Sequence, residues 1–283
     1  MSFAPPRSLS PSACSSFKEC PLAFRFSYLE RLPEPPSIWT SKGTLVHRAL
    51  ELLMDRPNDE RTLDAAKADL RAARLEYAAH PDFTDLDLTL DEWAAFDADS
   101  EQLVEKYFAL EDPRTVHPIG LELKLEADLG SVRLRGVIDR LDLDENGDFI
   151  VTDYKTGSVP SEQWEIKSLS GVHIYALLCE RMLGKRPARV QLYYLSRPEA
   201  IIATPTDQSI TGVERRTAAM ASAIASSCAR DDFRPHPGRL CDFCTFRPYC
   251  PAHGGNPVDA AELRGPGTVI APTLPLALPL VSA

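Results

Sequence analysis

Long apolar runs are missing from this 283-residue sequence. The opening residues, MSFAPPRSLSPSACSSF, contain no apolar stretch of the kind that a signal peptide requires, so we expect no secretion signal. The apolar stretch PTLPLALPLVSA is too short, and too often interrupted by proline, to span a bilayer. With 44% hydrophobic and 25% charged residues, the composition is that of an ordinary globular protein. We therefore expect a cytoplasmic protein without a membrane partner.

An excess of basic residues is also missing. The formal net charge of −10 argues at first against a nucleic-acid partner. The acidity is local, however, because residues 55–112 contain 17 Asp or Glu against 6 Lys or Arg, which leaves the rest of the chain at about +1. The charge distribution therefore allows a basic groove outside this segment, although no strong basic footprint is present.

The cysteines do not follow the pattern of a secreted disulfide framework. Their number, seven, is odd, and Cys241, Cys244 and Cys250 form a tight C-x₂-C-x₅-C cluster. Such a cluster is typical of metal binding in a reducing cytosol. Structural zinc and iron–sulfur sites usually have four ligands, and the spacing does not discriminate between them. The candidates for the fourth ligand are His253, His236, Cys228 and Cys20.

Aromatic and basic residues occur together near the N-terminus. Phe24, Phe26 and Tyr28 alternate along the chain, and Arg25 and Arg31 lie among them. Aromatic rings among cations are suited to stacking on exposed bases. Packing in the core of a helix is at least as good an interpretation of each ring taken singly.

Apolar periodicity predicts a mixed α/β chain. A helix opens near Thr40 with His47 in its first turns, and residues 58–112 have helical spacing throughout, which we interpret as an inserted helical subdomain. From Ile119 the period changes to two, and Glu122 faces away from the leucines of that strand. The later elements complete one mixed β-sheet flanked by helices, and they are a helix at about Glu162–Leu183, strands at Arg189–Leu195 and Ala200–Thr204, and a helix at Gln208–Ala229.

Residues 136–157, GVIDRLDLDENGDFIVTDYKTG, are typical of a β-hairpin with an Asn-Gly turn. Asp139 lies on the first strand. Asp153 and Lys155, two residues apart on the second strand, point to one face, and Tyr154 points to the other. Two carboxylates and an ammonium at the end of a sheet can hold a divalent cation and orient a water molecule. An isolated D-x-K is more often a surface ion pair, so the interpretation depends on its context.

Five short motifs supply that context. They are Cys20-Pro21, G-x-x-x-H at Gly43–His47, G-x-I-D-R at Gly136–Arg140, D-Y-K-T-G at Asp153–Gly157, and C-x₂-C-x₅-C-P at Cys241–Pro251. In this order and spacing the chain resembles the RecB-like branch of the PD-(D/E)XK nuclease superfamily. It is most similar to stand-alone RecB-family exonucleases and to CRISPR-associated iron–sulfur nucleases. The resemblance covers about residues 8–254 and implies a restriction-endonuclease-like core.

The resemblance also implies a catalytic site. His47, Asp139 and Asp153 would bind Mg²⁺ or Mn²⁺ together with the Tyr154 backbone carbonyl, and Asp139, Asp153 and Lys155 would be catalytic. Lys155 would orient the attacking water or help to deprotonate it. Aspartate and imidazole ligands suit these cations, and a lysine adds a fixed cation where negative charge develops.

Two further residues are candidates for supporting roles, and the resemblance implies a second metal centre. Glu122, which faces away from the leucines of its strand, is either a third acid for the metal site or a solvent-facing charge. Tyr175 matches the family motif Q-x-x-x-Y, although Gly171 replaces its glutamine. The resemblance selects Cys20 as the fourth cysteine of a [4Fe–4S] cluster that joins the N- and C-terminal segments, and the other three ligands are Cys241, Cys244 and Cys250.

The predicted organisation has four parts. An N-terminal segment, residues 1–42, contributes one cluster ligand, and residues 43–230 form a nuclease core with a helical insertion at about 58–112. Residues 231–254 form the cysteine cluster segment. Residues 255–283 are rich in Pro, Ala and Leu without a period, and we predict a disordered tail.

The predicted function is a metal-dependent deoxyribonuclease of the exonuclease type that acts in DNA repair or recombination. Its partners would be single-stranded DNA or duplex ends, together with a helicase or repair protein. One alternative is a non-catalytic nucleic-acid-binding or scaffold subunit that retains the fold, and another is a zinc-binding interaction protein. The complete set of His47, Asp139, Asp153 and Lys155 favours the nuclease.

Overall fold

The computed structural model describes residues 3–160 and 162–264, without the side chains of residues 162–170, 172 and 264. The helices are α1 (Pro11–Glu19), α2 (Pro21–Phe24), α3 (Ile38–Asp55), α4 (Leu63–Glu76), α5 (Pro81–Thr84), α6 (Leu90–Tyr107), α7 (Glu162–Leu183) and α8 (Asp207–Arg230). The strands are β1 (Ser8–Leu9), β2 (Pro118–Asp128), β3 (Arg133–Leu143), β4 (Phe149–Lys155), β5 (Arg189–Tyr194) and β6 (Glu199–Ala203). A π-helical turn follows α2, and short 3₁₀ helices lie at Asn58–Glu60, Pro113–Thr115, Arg239–Phe243, Arg247–Tyr249, Pro251–His253 and Asp259–Arg264.

The six strands form one mixed sheet around β3. β2 pairs antiparallel with β3 along most of its length. β1 pairs in parallel with the start of β3, and β4 pairs antiparallel with its end. β5 lies parallel to β4, and β6 completes the sheet antiparallel to β5. The predicted mixed α/β architecture, with the hairpin at its centre, is confirmed.

Helices cover both faces of the sheet. Because successive strand residues point to opposite faces, β5 contributes side chains to two cores. Leu192 packs in the core beneath α7 and α8, whereas the next residue, Tyr193, packs against α3, α4 and α6 on the other side. The core on the α3 side contains Leu45, Ala49, Leu50 and Leu53 of α3, and the helical period predicts that these residues are buried. Residues 58–112 contain α4, α5 and α6, so the acidic segment covers this face. In the described residues, no helix is long and apolar enough to cross a membrane.

α3 begins two residues earlier than the sequence predicts. The Ser37 hydroxyl accepts from the Thr40 backbone N–H and the Thr40 hydroxyl accepts from the Ser37 backbone N–H, which is a reciprocal capping box. The helix therefore includes Ile38 and Trp39, which precede the predicted start near Thr40.

A third core joins the two ends of the described chain. Phe24 and Phe26 are completely buried there, with Ile224 of α8 and Phe246 of the cysteine segment. The N-terminal rings are therefore core residues and not a base-stacking surface. Beyond residue 254, the 3₁₀ helix Asp259–Arg264 packs against this core through the buried Ala260. The predicted disordered tail thus includes an ordered stretch, and its remainder, residues 265–283, lies outside the described residues.

Candidate active site

Three side chains with metal-ligating atoms converge from three elements. They are His47 of α3, Glu122 of β2 and Asp139 of β3, and each offers one donor atom within 4.8 Å of the other two. Nδ1 of His47 lies 3.4 Å from Oδ2 of Asp139. The β2–β3 register pairs the neighbours of Glu122 with the neighbours of Asp139, which places these two carboxylates opposite each other. One imidazole and two carboxylates, all partly buried, fit Mg²⁺ or Mn²⁺.

Glu122 is held in an unusual backbone conformation. Its φ of 45° lies in the left-handed region, although it stands within a strand. For a residue other than glycine this costs on the order of 1–3 kcal/mol and is most often found at functional sites. Burial, reinforced by the charge of Asp139, raises the pKa of Glu122 to about 7. Without a cation, this carboxyl group is therefore often protonated at neutral pH.

The backbone of β4 fixes the orientation of Asp139. The Tyr154 N–H donates a 2.7 Å hydrogen bond to Oδ2 of Asp139, the same oxygen that faces His47. Burial alone would lower the pKa of His47, but the hydrogen bond and the charge of Asp139 outweigh it and raise the pKa. The role of the Tyr154 carbonyl as a further metal ligand stays a prediction.

Asp153 and Lys155 form an ion pair beside this group. Nζ of Lys155 lies 2.5 Å from Oδ2 of Asp153, which is only 3% exposed. Burial raises the pKa of Asp153, the charge of Lys155 opposes the rise, and Asp139 adds to it. For Lys155, burial would lower the pKa, but the charge of Asp153 outweighs burial and raises it, so the amine stays an ammonium. His47, Asp139, Asp153 and Lys155 are thus brought together.

A buried network lies directly behind the site and was missed by sequence reasoning. The fully buried Arg140 donates through Nη1 to the Tyr154 hydroxyl at 2.7 Å and through Nε to Asp142 at 3.0 Å. Its two Nη atoms also contact Glu111, which follows α6, at 2.5 and 3.0 Å. Glu111 in turn accepts from the hydroxyl of Tyr193 on β5. Arg140 belongs to the G-x-I-D-R motif, and this motif is the sequence signal from which the network could have been found.

Comparison with known proteins identifies the family. The family model described as the PD-(D/E)XK nuclease superfamily matches residues 8–251. The chain belongs to this superfamily. The chain is 25% identical to the Gene 69 protein of Mycobacterium phage D29, with 86% of this chain and 96% of that protein covered. For the Gene 69 protein of Mycobacterium phage L5, the identity is 22% and the coverage 86% and 95%.

A solved structure shares the fold of this PD-(D/E)XK chain. It is a protein from Eubacterium rectale named "Putative exonuclease", with a TM-score of 0.52 and 12% identity over 84% of this chain and 87% of that chain. At this level of identity the similarity describes the fold alone. The predicted superfamily and its restriction-endonuclease-like core are confirmed.

A glycine lets α7 approach the PD-(D/E)XK site. A Cβ atom on Gly136 would lie 2.9 Å from Leu178 and 3.1 Å from Tyr175, both on α7. The close approach places Tyr175 beside Asp153, whose charge adds to burial in raising the pKa of Tyr175. At Gly171, where the family motif has glutamine, a Cβ atom would meet no neighbour within 4 Å among the described side chains. Tyr175 therefore lies next to the site, whereas Gly171 provides no side chain in place of the family glutamine.

A cleft of about 360 Å³ opens beside the metal-ligating group. Its lining combines site residues with residues of α3 and the helical insertion, namely Gly43, Thr44, His47, Arg48, Glu51, Tyr77 and Glu122. Arg48 is held by Glu51 at 2.7 Å and by Glu76 at 3.0 Å. The acidic helical segment thus forms one wall of the cleft.

The structure brings the four predicted cluster cysteines into one region. Cys20 lies between α1 and α2, and the other three lie on the 3₁₀ turns of the C-terminal segment. Burial raises the pKa of Cys244, and the thiols of Cys20, Cys241 and Cys250 raise it further, so all four are close. All seven cysteines are free thiols. Four thiols from two chain segments are a donor set that fits a thiolate-ligated centre.

Proposed function

We propose that this chain is a metal-dependent deoxyribonuclease that hydrolyses phosphodiester bonds. The observation that carries the proposal is the convergence of His47, Glu122 and Asp139 beside the Asp153–Lys155 ion pair. Membership of the PD-(D/E)XK nuclease superfamily supports it independently. The catalytic residues are Asp139, Asp153 and Lys155.

The metal site would be formed by side chains from both hairpin strands and from α3. His47, Asp139, Asp153 and the Tyr154 carbonyl would hold Mg²⁺ or Mn²⁺, with Glu122 as an additional acid. When bound, such a cation lowers the pKa of water and neutralises charge on the phosphoryl oxygens. Glu122 must release its proton to become a ligand, and because its pKa is raised only to about 7, that release costs little near neutral pH.

Lys155 acts as a fixed cation and not as a base. Its amine is protonated because Asp153 stabilises the ammonium form. An ammonium can donate hydrogen bonds to the attacking water and to the phosphoryl oxygen where negative charge develops. Tyr175 orients Asp153 through its hydroxyl group. Of the two predicted roles, the structure therefore favours orientation of the water over its deprotonation.

The four clustered cysteines would hold a [4Fe–4S] cluster with a structural role. Cys20, Cys241, Cys244 and Cys250 connect the first helices to the C-terminal segment, so the cluster would join the two ends of the third core. Within the described residues, no three cysteine sulfurs lie within 4.8 Å of one another. Tetrahedral zinc with Zn–S bonds of about 2.3 Å would need closer sulfurs.

The cluster assignment has a direct test, which also distinguishes the cluster from the zinc-binding alternative. Protein purified without oxygen should be brown and contain about four iron atoms per chain, the composition of the cluster. The Cys20→Ala variant should lose iron, whereas Cys179→Ala, a change of a buried thiol in the sheet core, should retain it. Colourless protein that contains zinc and no iron would contradict the cluster.

The mode of cleavage and the biological setting complete the proposal. The motif pattern is that of RecB-like exonucleases, so we infer digestion from DNA ends during repair or recombination, alongside a helicase or repair protein. The free thiols suit the reducing cytoplasm. The non-catalytic scaffold remains the competing function, since fold does not by itself fix activity.

A cleavage assay separates the two functions. End-labelled single- and double-stranded DNA is incubated with Mn²⁺ and the wild type, Asp153→Ala, Lys155→Ala or Glu145→Ala protein. Glu145 is an exposed acid in the turn of the same hairpin and serves as the matched control. We expect the wild type and Glu145→Ala to shorten the DNA from its ends and the other two to be inactive. Equal inactivity of all four proteins would favour the scaffold.

A further inference from the structure

An exposed tryptophan stands in the first turn of the helix that supplies His47. Trp39 is 77% exposed. The other tryptophan with a described side chain, Trp93, packs against the core of the helical insertion and stacks with Arg74 at 4.0 Å. A large exposed aromatic ring offers a flat apolar face on which a ligand can stack. Trp39 is therefore a candidate for ligand contact.

The Trp39 ring is held in position by a neighbouring lysine. Nζ of Lys42 lies 5.3 Å from the ring centroid, in the geometry of a cation–π contact. Lys42 is itself buried and fixed by a 2.9 Å ion pair with Asp99 of α6. The ring is thus ordered by its neighbours while most of its surface is open to solvent, so a ligand could stack on it at a low cost in side-chain entropy.

A cavity of about 210 Å³ lies next to the ring. Residues from four segments line it, including Trp39, Lys42, Lys106, Thr156, Gly157 and Ser196. Thr156 and Ser196 follow the parallel strands β4 and β5, and the carboxyl ends of such strands are a common place for ligands. Nζ of Lys106 donates to the Ser196 carbonyl at 2.9 Å, a bond that leaves its positive charge unneutralised.

The cavity adjoins the candidate active site. Gly43, between Trp39 and His47, would place a Cβ atom 3.4 Å from Oγ1 of Thr156, so α3 runs directly past the end of the strand that carries Lys155. Trp39 and His47 are eight residues apart, which is slightly more than two helical turns and about 12 Å along the axis of α3. A nucleic-acid strand with one phosphate at the metal group would reach Trp39 a few nucleotides away.

We propose that Trp39 stacks on an unpaired base of single-stranded nucleic acid whose scissile phosphate lies at the metal group. The inference rests on the proposed function and adds a substrate subsite to it. An exposed aromatic ring beside a positively charged group is the usual platform for unpaired bases, because every base offers a π-face, and the charge of Lys106 in the same cavity attracts the backbone. A paired base within a duplex has both faces covered by its neighbours, so the subsite selects single strands.

The test measures binding separately from cleavage. Fluorescence anisotropy with labelled single-stranded and blunt duplex DNA in Ca²⁺ gives affinities for the wild type, Trp39→Ala, Trp39→Phe and Leu90→Ala. Leu90 is an apolar residue of similar exposure on α6 and serves as the control. We expect Trp39→Ala to weaken single-strand binding about tenfold or more, with Trp39→Phe close to wild type and Leu90→Ala unchanged. Duplex affinity should not change.

The outcomes separate this inference from the proposed function. Unchanged single-strand affinity in Trp39→Ala, or an equal loss of duplex affinity, would overturn the subsite and leave the nuclease intact. Selective loss of single-strand binding in a protein that cleaves nothing in Mn²⁺ would support the subsite and overturn the nuclease. A wild type that binds no nucleic acid would overturn both.

Discussion

Two polar clusters lie beside the central hairpin, and they differ in how their charges are balanced. At the candidate active site, Glu122, Asp139 and His47 lie together, and Asp153 and Lys155 form an ion pair beside them. Behind the hairpin, Arg140 is surrounded by two carboxylates and three tyrosine or threonine hydroxyl groups. The two clusters share the same strands, since Arg140 follows Asp139 and Tyr154 separates Asp153 from Lys155.

The difference shows what each cluster is built to do. Glu122 and Asp153 have raised pKa values because burial, reinforced by the charge of Asp139, is not fully compensated, so a cation would relieve this unfavourable energy. The Arg140 network has its donors paired within the protein, which makes a buried charge tolerable. Binding of a cation would relieve the unfavourable electrostatic energy of these carboxyl groups, whereas the Arg140 network keeps the strands in place.

The largest effect should come from removing one carboxylate of the cleft. We expect Asp139→Asn to lower DNA cleavage on the order of a thousandfold, because a charged ligand at the reacting centre is lost. Stability should hardly fall, since one of several mutually repelling acids disappears. The measurements are kcat in Mn²⁺ and thermal denaturation without metal. Strong destabilisation with intact cleavage would contradict the comparison.

The network should show the opposite response. Arg140→Met leaves Glu111 and Asp142 buried without their cation, so the free energy of unfolding should fall by about 3–5 kcal/mol. Arg114, whose ion pair with Asp112 is exposed, is the matched control. Arg114→Met should change stability by less than about 1 kcal/mol. Urea denaturation compares them, and equal stabilities would show that the network does not hold the strands.

Charge relief in the cleft predicts a pH dependence. Because Glu122 has a pKa of about 7 in the folded protein and an ordinary one when unfolded, the folded state holds more protons between the two values. Without Mg²⁺ or Mn²⁺, the free energy of unfolding should therefore fall as pH rises through this range. Glu122→Gln should reduce the fall.

Thermal denaturation at pH 5.5 and 8 measures this dependence. The exposed Glu145→Gln variant should follow the wild type at both values. Added Mn²⁺ should restore stability at the higher pH, because cation binding favours the deprotonated carboxylate. A wild type that gains stability with rising pH in metal-free buffer would refute the assigned charge crowding.

Two glycines on the α7 side give the smallest predicted effects. Gly136→Ala puts a methyl group 2.9 Å from Leu178, so it should destabilise the protein by about 1–3 kcal/mol and disturb Tyr175 beside Asp153. Gly171→Ala meets no neighbour in a helix and should stabilise it by up to about 1 kcal/mol. Denaturation curves and kcat of both variants check this, and destabilisation by Gly171→Ala would show a packing role for that position.

Local sequence patterns were sufficient for much of the fold. The Asn-Gly turn and the period-two strands predicted the central hairpin, and the bounds of α7 agree with the prediction because its apolar period ends near Gly184. The motif residues on α3, β3 and β4 were identified because they share one order along the chain. Their convergence needed the tertiary structure, since His47 and Asp139 are far apart in sequence.

Features that depend on environment could not be predicted. Nothing local distinguishes the buried Phe24 and Phe26 from the exposed Trp39, because exposure depends on which other segment covers each ring. The partners of Arg140 come from α6, β4 and β5, so its burial is not visible in the G-x-I-D-R motif alone. The left-handed φ of Glu122, within a strand, likewise has no local sequence signal.

We propose that His47, Glu122 and Asp139 belong to one cation site that hydrolysis requires. Electron paramagnetic resonance of Mn²⁺ titrated into wild type, His47→Ala and Asp139→Asn protein tests it most directly, because it reports bound metal whether or not DNA is cleaved. We predict saturable binding by the wild type and at least tenfold weaker binding by each variant. Equal Mn²⁺ affinities in the three proteins would contradict the account.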